Sequence, residues 1–201
     1  MRAAEQERPD VAAQRAEWPA WQTGLDPDRL VFPDETGVKS NMTPGYGWGP
    51  TSERVVEAVP HGHGKTTPFV AALRASGLVA PMVVDGAIPG HLFVAYVEQV
   101  LVKEWRAGGV VVMDALACHK VAKVAPAVEK AGATVVSLPA YSPDLNPIEQ
   151  VFAKAKGEIR RHKPRTVADT ERLCGDALDW FPPDECRNYI RHAGYGPQGT
   201  D

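Results

Sequence analysis

Cysteine is scarce in this chain: Cys118, Cys174 and Cys186 are the only three among 201 residues, with no Cys-x-x-Cys pair. A disulfide framework or a structural zinc site needs thiols in closer sets, so neither is supported. Long apolar runs are missing too. None approaches the roughly 20 residues of a membrane-spanning helix, and the N-terminus is charged where a signal peptide would be apolar. A cytoplasmic protein is expected. There is no excess of positive charge, since the formal net charge is −3, so any nucleic-acid reading must rest on local charge. A complete phosphate-binding loop is also absent. Gly62-His63-Gly64-Lys65-Thr66 ends like one, but Val59 stands where the first glycine is required, and no helix is expected after Thr66. What remains is ordinary for a globular chain, with 44% hydrophobic and 23% charged residues. Its length suits one substantial domain with a real core.

Residues 1–21 are polar and rich in Ala, Arg, Glu and Gln, too poor in apolar residues for a core helix, so residues 1–24 read as a surface helix or linker remnant. A first strand is expected over 29–32, closing on Asp34. Residues 37–52 are dense in Gly, Pro, Ser, Thr and Asn and predict a loop. Val55–Val59 reads as a second strand. Residues 65–74 and 78–85 read as two more, joined in a hairpin at Ser76-Gly77; a helix over 65–74 is the alternative, because Ala71, Ala72 and Leu73 are good helix formers. Helices follow over 91–103 and 121–131, with a strand between them ending on Asp114 and another at 133–138. A long helix opens near Pro147, where a missing N–H costs nothing, and Lys163-Pro164 breaks it. Two more helices close the chain, one capped by Thr166, and 194–201 reads as a frayed tail. This order predicts a mixed α/β sheet with helices on its faces and a helical C-terminal layer.

Three carboxylates stand at the joints of that scheme. Asp34 and Asp114 close apolar runs, the second of them β-branched, and Glu149 falls in the first turn of the long helix with 34 residues between it and Asp114. Ionised carboxylates at neighbouring strand ends need a counter-charge, and hard divalent cations provide it. Two such ions about 4 Å apart can activate a water or hydroxyl and stabilise the leaving oxygen of a phosphodiester. Taken singly, each acid has a plainer reading, as a turn residue or as a partner of the helix dipole. Their joint placement favours the metal site. His61 and His63 read as hydrogen-bonding groups near the sheet, and His119 as a DNA-contacting or positioning group. Trp18, Trp21, Trp48 and Trp180 read as core or flap packing.

Asp34-Glu35-Thr36, Asn41-Met42-Thr43, Pro60-His61-Gly62-His63, Lys65-Thr66-Thr67, Met113-Asp114, His119-Lys120 and above all Pro139-Ala140-Tyr141-Ser142-Pro143-Asp144-Leu145-Asn146-Pro147-Ile148-Glu149 resemble the DDE transposases of bacterial insertion sequences in the mariner superfamily. The resemblance covers residues 10–195. It implies a ribonuclease H-like catalytic domain, spanning 25–165 with 166–201 packing on it as C-terminal helices. Asp34, Asp114 and Glu149 would be its metal-binding acids. The implied chemistry is cleavage of DNA at an element's ends and joining of the freed 3′ hydroxyl to a TA-containing target, with two Mg²⁺ ions for which Mn²⁺ substitutes. It further implies a homodimer, nucleoid association in a bacterium, and a helix-turn-helix region encoded upstream or separately.

The sequence also departs from that pattern. Pro33 precedes the first acid where an aliphatic residue is usual, and Ala115 and Cys118 replace residues that resemble Asn and Ser. Gly64 stands where an aromatic is common, and the loop at 45–52 lacks an arginine. A second reading is therefore a truncated, inactive remnant that still binds DNA or an intact transposase. A basic stretch after Glu149 bears on both readings. Lys154, Lys156, Arg160 and Arg161, with His119 and Lys120, are the expected DNA contacts, against the plainer reading of a solvated helix face.

Overall fold

The computed structural model describes residues 4–62, 64–105, 107–114 and 118–196, with the backbone alone over 118–123. Five strands form one sheet in the order β3-β2-β1-β4-β5: β1 (Leu30–Lys39), β2 (Thr66–Arg74), β3 (Gly77–Val83), β4 (Val110–Met113) and β5 (Thr134–Ser137). β1 to β3 are antiparallel, whereas β4 pairs in parallel with both β1 and β5. The helices are α1 (Pro9–Gln22), α2 (Gly90–Gln99), α3 (Cys118–Lys130), α4 (Ile148–His162), α5 (Val167–Asp176) and α6 (Pro183–His192).

Side chains alternate across a strand, and the alternation sorts the core into two halves. Leu30, Phe32, Val38, Phe69, Ala71, Leu73 and Val112 pack on one face, beneath α4, α5, α6 and Trp18 of α1. Val31, Val70, Ala72, Val111 and Met113 pack on the other, against α2 and α3. In α4 the buried residues Ile148, Val151, Phe152, Ala155 and Ile159 recur at the spacing of a single helical stripe. Lys163 ends that helix in the left-handed conformation (φ 50°), just before Pro164. Thr166 and Asp169 close a capping box on α5, which satisfies two N–H groups at once.

Several expectations are corrected here. The first strand does not stop at Phe32 but runs to Lys39, because β2 offers an antiparallel partner along the whole length from Phe32. Asp34 therefore lies within β1, opposite Ala71, and the first residues of the expected loop belong to the strand. Pro33 is tolerated there because β4 pairs with β1 only through Leu30 and Val31, so the ladder on that side has already ended. Val55–Val59 forms no strand. Val55, Val56 and Val59 are exposed and lie in irregular backbone that pairs with no strand among the described residues. The hairpin of β2 and β3 forms, with its turn at Ala75-Ser76, and its formation rules out a helix over 65–74. Because Thr66 opens a strand rather than a helix, Gly64-Lys65-Thr66 lacks the helix N-terminus a phosphate loop needs. At Gly64, a Cβ would stand 2.3 Å from Asn41 Oδ1 and 2.8 Å from Asn41 Cβ, so the Asn41 side chain occupies the space a larger residue would take.

The two chain ends are more deeply engaged than their composition suggests. In α1, Val11, Trp18 and Gln22 are buried, and Trp18 leans on Trp21 at a centroid distance of 4.6 Å. Gln22 donates through Nε2 to the Ala193 carbonyl at 2.7 Å. Tyr195, expected to fray, is buried in the core with its ring edge-on to Phe32 at 4.9 Å. Of the other tryptophans, Trp48 is fully exposed and Trp180 stacks on His162.

Candidate active site

Strand parity aims the acids. Asp34 shares the face of Phe32, and Asp114 follows β4 with the parity of Val112; both of those residues pack in the core beneath α4. Glu149 is the second residue of α4 and is exposed. The two aspartates, 80 positions apart in sequence, therefore open toward the start of the helix that carries the glutamate.

Both oxygens of Asp34 are engaged. Oδ1 accepts the backbone N–H of Glu35 at 2.7 Å, and Oδ2 accepts Nδ2 of Asn146 at 2.9 Å. Burial, first of all, pushes the Asp34 carboxyl up from 3.8 to about 7. The Glu35 N–H pulls it back down, while the charges of Glu149, Asp114 and Glu35 raise it further. Glu149 and Asp114 thus both lie within electrostatic reach of Asp34. The three acids do not form a closed ligand set, since among the described residues no group of three His, Cys, Asp or Glu is placed to hold a metal ion. Mutual repulsion between carboxylates works against closer approach.

Hard oxygen donors in a negative centre fit a divalent cation such as magnesium, and a second observation agrees. Asn146 is buried, and its Oδ1 has no hydrogen-bond partner among the described residues. A buried amide oxygen beside an acidic centre is a donor that a cation, or a water on one, would satisfy. Asn146 was part of the motif read in the sequence but was given no role. What the motif hides is that its asparagine turns inward onto a residue 112 positions away.

The basic stretch divides. Lys154 donates to both carboxylate oxygens of Glu185 at 2.7 Å and lies over the Phe181 ring. Arg161 pairs with Glu158, and Lys163 with Glu57. Lys156 and Arg160 have no ion-pair partner among the described residues. They stand seven and eleven positions after Glu149, so all three share one side of α4. His63 and the side chains of His119 and Lys120 lie outside the described residues, and His61 is exposed.

A mixed five-stranded sheet in the order β3-β2-β1-β4-β5 with helices on both faces defines an α/β domain of the ribonuclease H-like type. Residues 29–174 match the DDE superfamily endonucleases, and the chain belongs to that family. The fold is shared with the Mos1 mariner transposase. In the Mos1 strand transfer complex the match has a TM-score of 0.71 at 15% identity, covering 96% of this chain and 59% of that one. In the Mos1 paired end complex with Mn the values are 0.67 and 14%, covering 96% and 60%. The isolated Mos1 catalytic domain matches with a TM-score of 0.55 at 11% identity, over 97% of both chains. The chain thus spans about three-fifths of the Mos1 chains in those complexes. No protein of curated function matches the sequence.

Proposed function

We propose that this chain is the catalytic domain of a transposase, cleaving DNA at the ends of an insertion sequence and joining them to a target. The observation that supports the reading is the partly buried Asp34 on β1, bonded to Asn146 and acted on by the charges of Glu149 and Asp114. Asp34, Asp114 and Glu149 would hold Mg²⁺ or Mn²⁺, as two ions, with the acids drawn together against their repulsion. Bound there, the metal supplies the charge that activates a water or 3′ hydroxyl and stabilises the departing oxygen. The protein's own part is positional. Asn146 fixes the rotamer of Asp34, and α4 delivers Glu149 from a rigid, deeply packed helix. Lys156 and Arg160, on the Glu149 side of α4, lie where a DNA backbone approaching the acids would pass. Lys154 and Arg161 would have to leave their carboxylate partners to join them. The Mos1 structures of similar fold include a strand transfer complex and paired end complexes with Mn and with Mg, which supports DNA as the substrate and a divalent metal as the cofactor. A homodimer, a TA-containing target and a helix-turn-helix region encoded elsewhere complete the proposal. Exposed Tyr46, Trp48 and Val56 on the loop after β1 give a dimer apolar surface to cover.

One observation favours the second reading, a remnant that binds DNA without cutting it: the acids are not closed into a ligand set. A cleavage assay on end-containing DNA with Mg²⁺ or Mn²⁺ separates the two. Wild-type protein should yield strand breaks and Asp114→Asn should not; equal products from both would defeat the catalytic reading. Phosphate contact is tested by Lys156→Ala and Arg160→Ala together. The plot of log affinity against log salt should flatten by about 2, and all DNA sequences should be bound more weakly to a similar degree. An unchanged slope would return these two residues to a solvated helix face.

A further inference from the structure

The loop between β5 and α4 carries Asn146 and delivers Glu149, and its outer side is held by the N-terminal helix. Arg15 of α1 donates through Nη1 to Ser142 Oγ at 2.6 Å and to Asp144 Oδ1 at 3.0 Å, and through Nη2 to Asp144 Oδ2 at 2.7 Å. Ser142 is buried and passes its own proton donor to the Ala140 carbonyl at 3.0 Å. In the short helical turn ahead of α1 (Ala4–Glu7), Gln6 Nε2 donates to the Tyr141 carbonyl at 2.6 Å. Tyr141 itself holds a left-handed backbone (φ 55°), a conformation that a bulky residue adopts at a cost and keeps only where its surroundings impose it. Four residues after Ser142, Asn146 reaches Asp34.

We propose that Arg15 is a positioning residue for the acidic centre. Its planar fork grips a carboxylate and a hydroxyl at once, a geometry lysine cannot reproduce, and so sets the loop that presents Asn146 to Asp34. The helix before the catalytic sheet thereby becomes part of the active unit. The pair is only partly shielded, with the Arg15 side chain 22% and Asp144 53% exposed, so its value lies in geometry more than in stability. This inference rests on the metal-dependent reading of the site.

The test uses the full chain as wild type, Arg15→Ala, Arg15→Lys and the control Arg172→Ala, whose exposed pair with Asp176 lies within α5. Two quantities are read: the Mn²⁺ concentration giving half of the maximal thermal shift, and amide hydrogen exchange of residues 140–146 without metal. Arg15→Ala should raise the Mn²⁺ midpoint about tenfold, the scale typical of groups that orient metal ligands, and speed exchange in the loop. Arg15→Lys should recover only part of both, and Arg172→Ala should match wild type. A wild-type Mn²⁺ response left unmoved by Arg15→Ala would overturn the proposal while leaving the site's function intact. A wild type with no Mn²⁺ response would remove the function itself, and faster loop exchange in Arg15→Ala would then mark a structural brace only, overturning the proposal too.

Discussion

Asp34→Asn is expected to reduce metal-dependent DNA cleavage by a thousandfold or more and, in the same protein, to raise the melting temperature without metal. The first effect follows from removing a charged oxygen donor from a site that has few. The second follows from the direction of the Asp34 shift. Its carboxyl titrates at about 7 in the folded protein against 3.8 ordinarily, through burial first and then the charges of Glu149 and Asp114. Folding therefore favours the protonated form. Between pH 3.8 and about 7 the folded state binds the proton that the unfolded chain has lost, so stability falls as pH rises through that window. At pH 7 and above the ionised group destabilises the fold by roughly 4 kcal/mol at most. Asparagine keeps an amide oxygen for Asn146 and carries no charge, but it gives up the bond from the Glu35 N–H, a loss of about 1 kcal/mol that is smaller than the charge effect. The gain in melting temperature should be largest near pH 8, shrink on acidification and vanish below about pH 4. Scanning calorimetry of both proteins across that range checks it. A gain that persists at pH 3.5 would mean that repacking, not charge, is responsible. Divalent metal should stabilise the wild type and leave Asp34→Asn nearly unmoved, since a ligand stabilises only the state that binds it.

Tyr195→Ala should destabilise the fold by about 3–5 kcal/mol, the range for deleting a buried aromatic ring, lowering the melting temperature by roughly 10 °C. The ring fills the core beside Phe32, the strand residue two before Asp34. Its hydroxyl donates to the Leu145 carbonyl at 2.9 Å, inside the loop that leads to Glu149. Tyr195→Phe keeps the ring and loses only that bond, a cost of about 1 kcal/mol. Urea unfolding of the three proteins separates packing from hydrogen bonding. A cost below about 1 kcal/mol for Tyr195→Ala would mean that the residue frays, as its place near the chain's end suggests.

Much of the architecture was legible because short-range chemistry dictates it. The apolar β-branched run before Asp114, the capping threonine at 166 and the stripe of α4 are local patterns, and each sits where the pattern requires. Val55–Val59 shows where such reasoning runs out. Its residues favour a strand, but a strand needs an edge to pair with, and the edge beside β1 is taken by β2 from Thr66 onward. The tail around Tyr195 failed the other way, since Gly194 and Gly196 suggest fraying while the tyrosine between them belongs to the core.

By itself, the sequence determined the elements, their order and three acids at informative places, because helix and strand periods and turn chemistry are written within a few residues of one another. It could not determine that Asn146 would bind Asp34, that Arg15 would grip Ser142 and Asp144, or that Lys154 would be drawn off to Glu185 while Lys156 and Arg160 found no ion-pair partner among the described residues. Those outcomes depend on which distant segments the sheet order and the docking of α1, α4 and α6 bring within 3 Å. Hydrogen bonds act only over such distances, and the attraction of exposed charges is screened within about 10 Å, so both take effect once tertiary packing has chosen the neighbours.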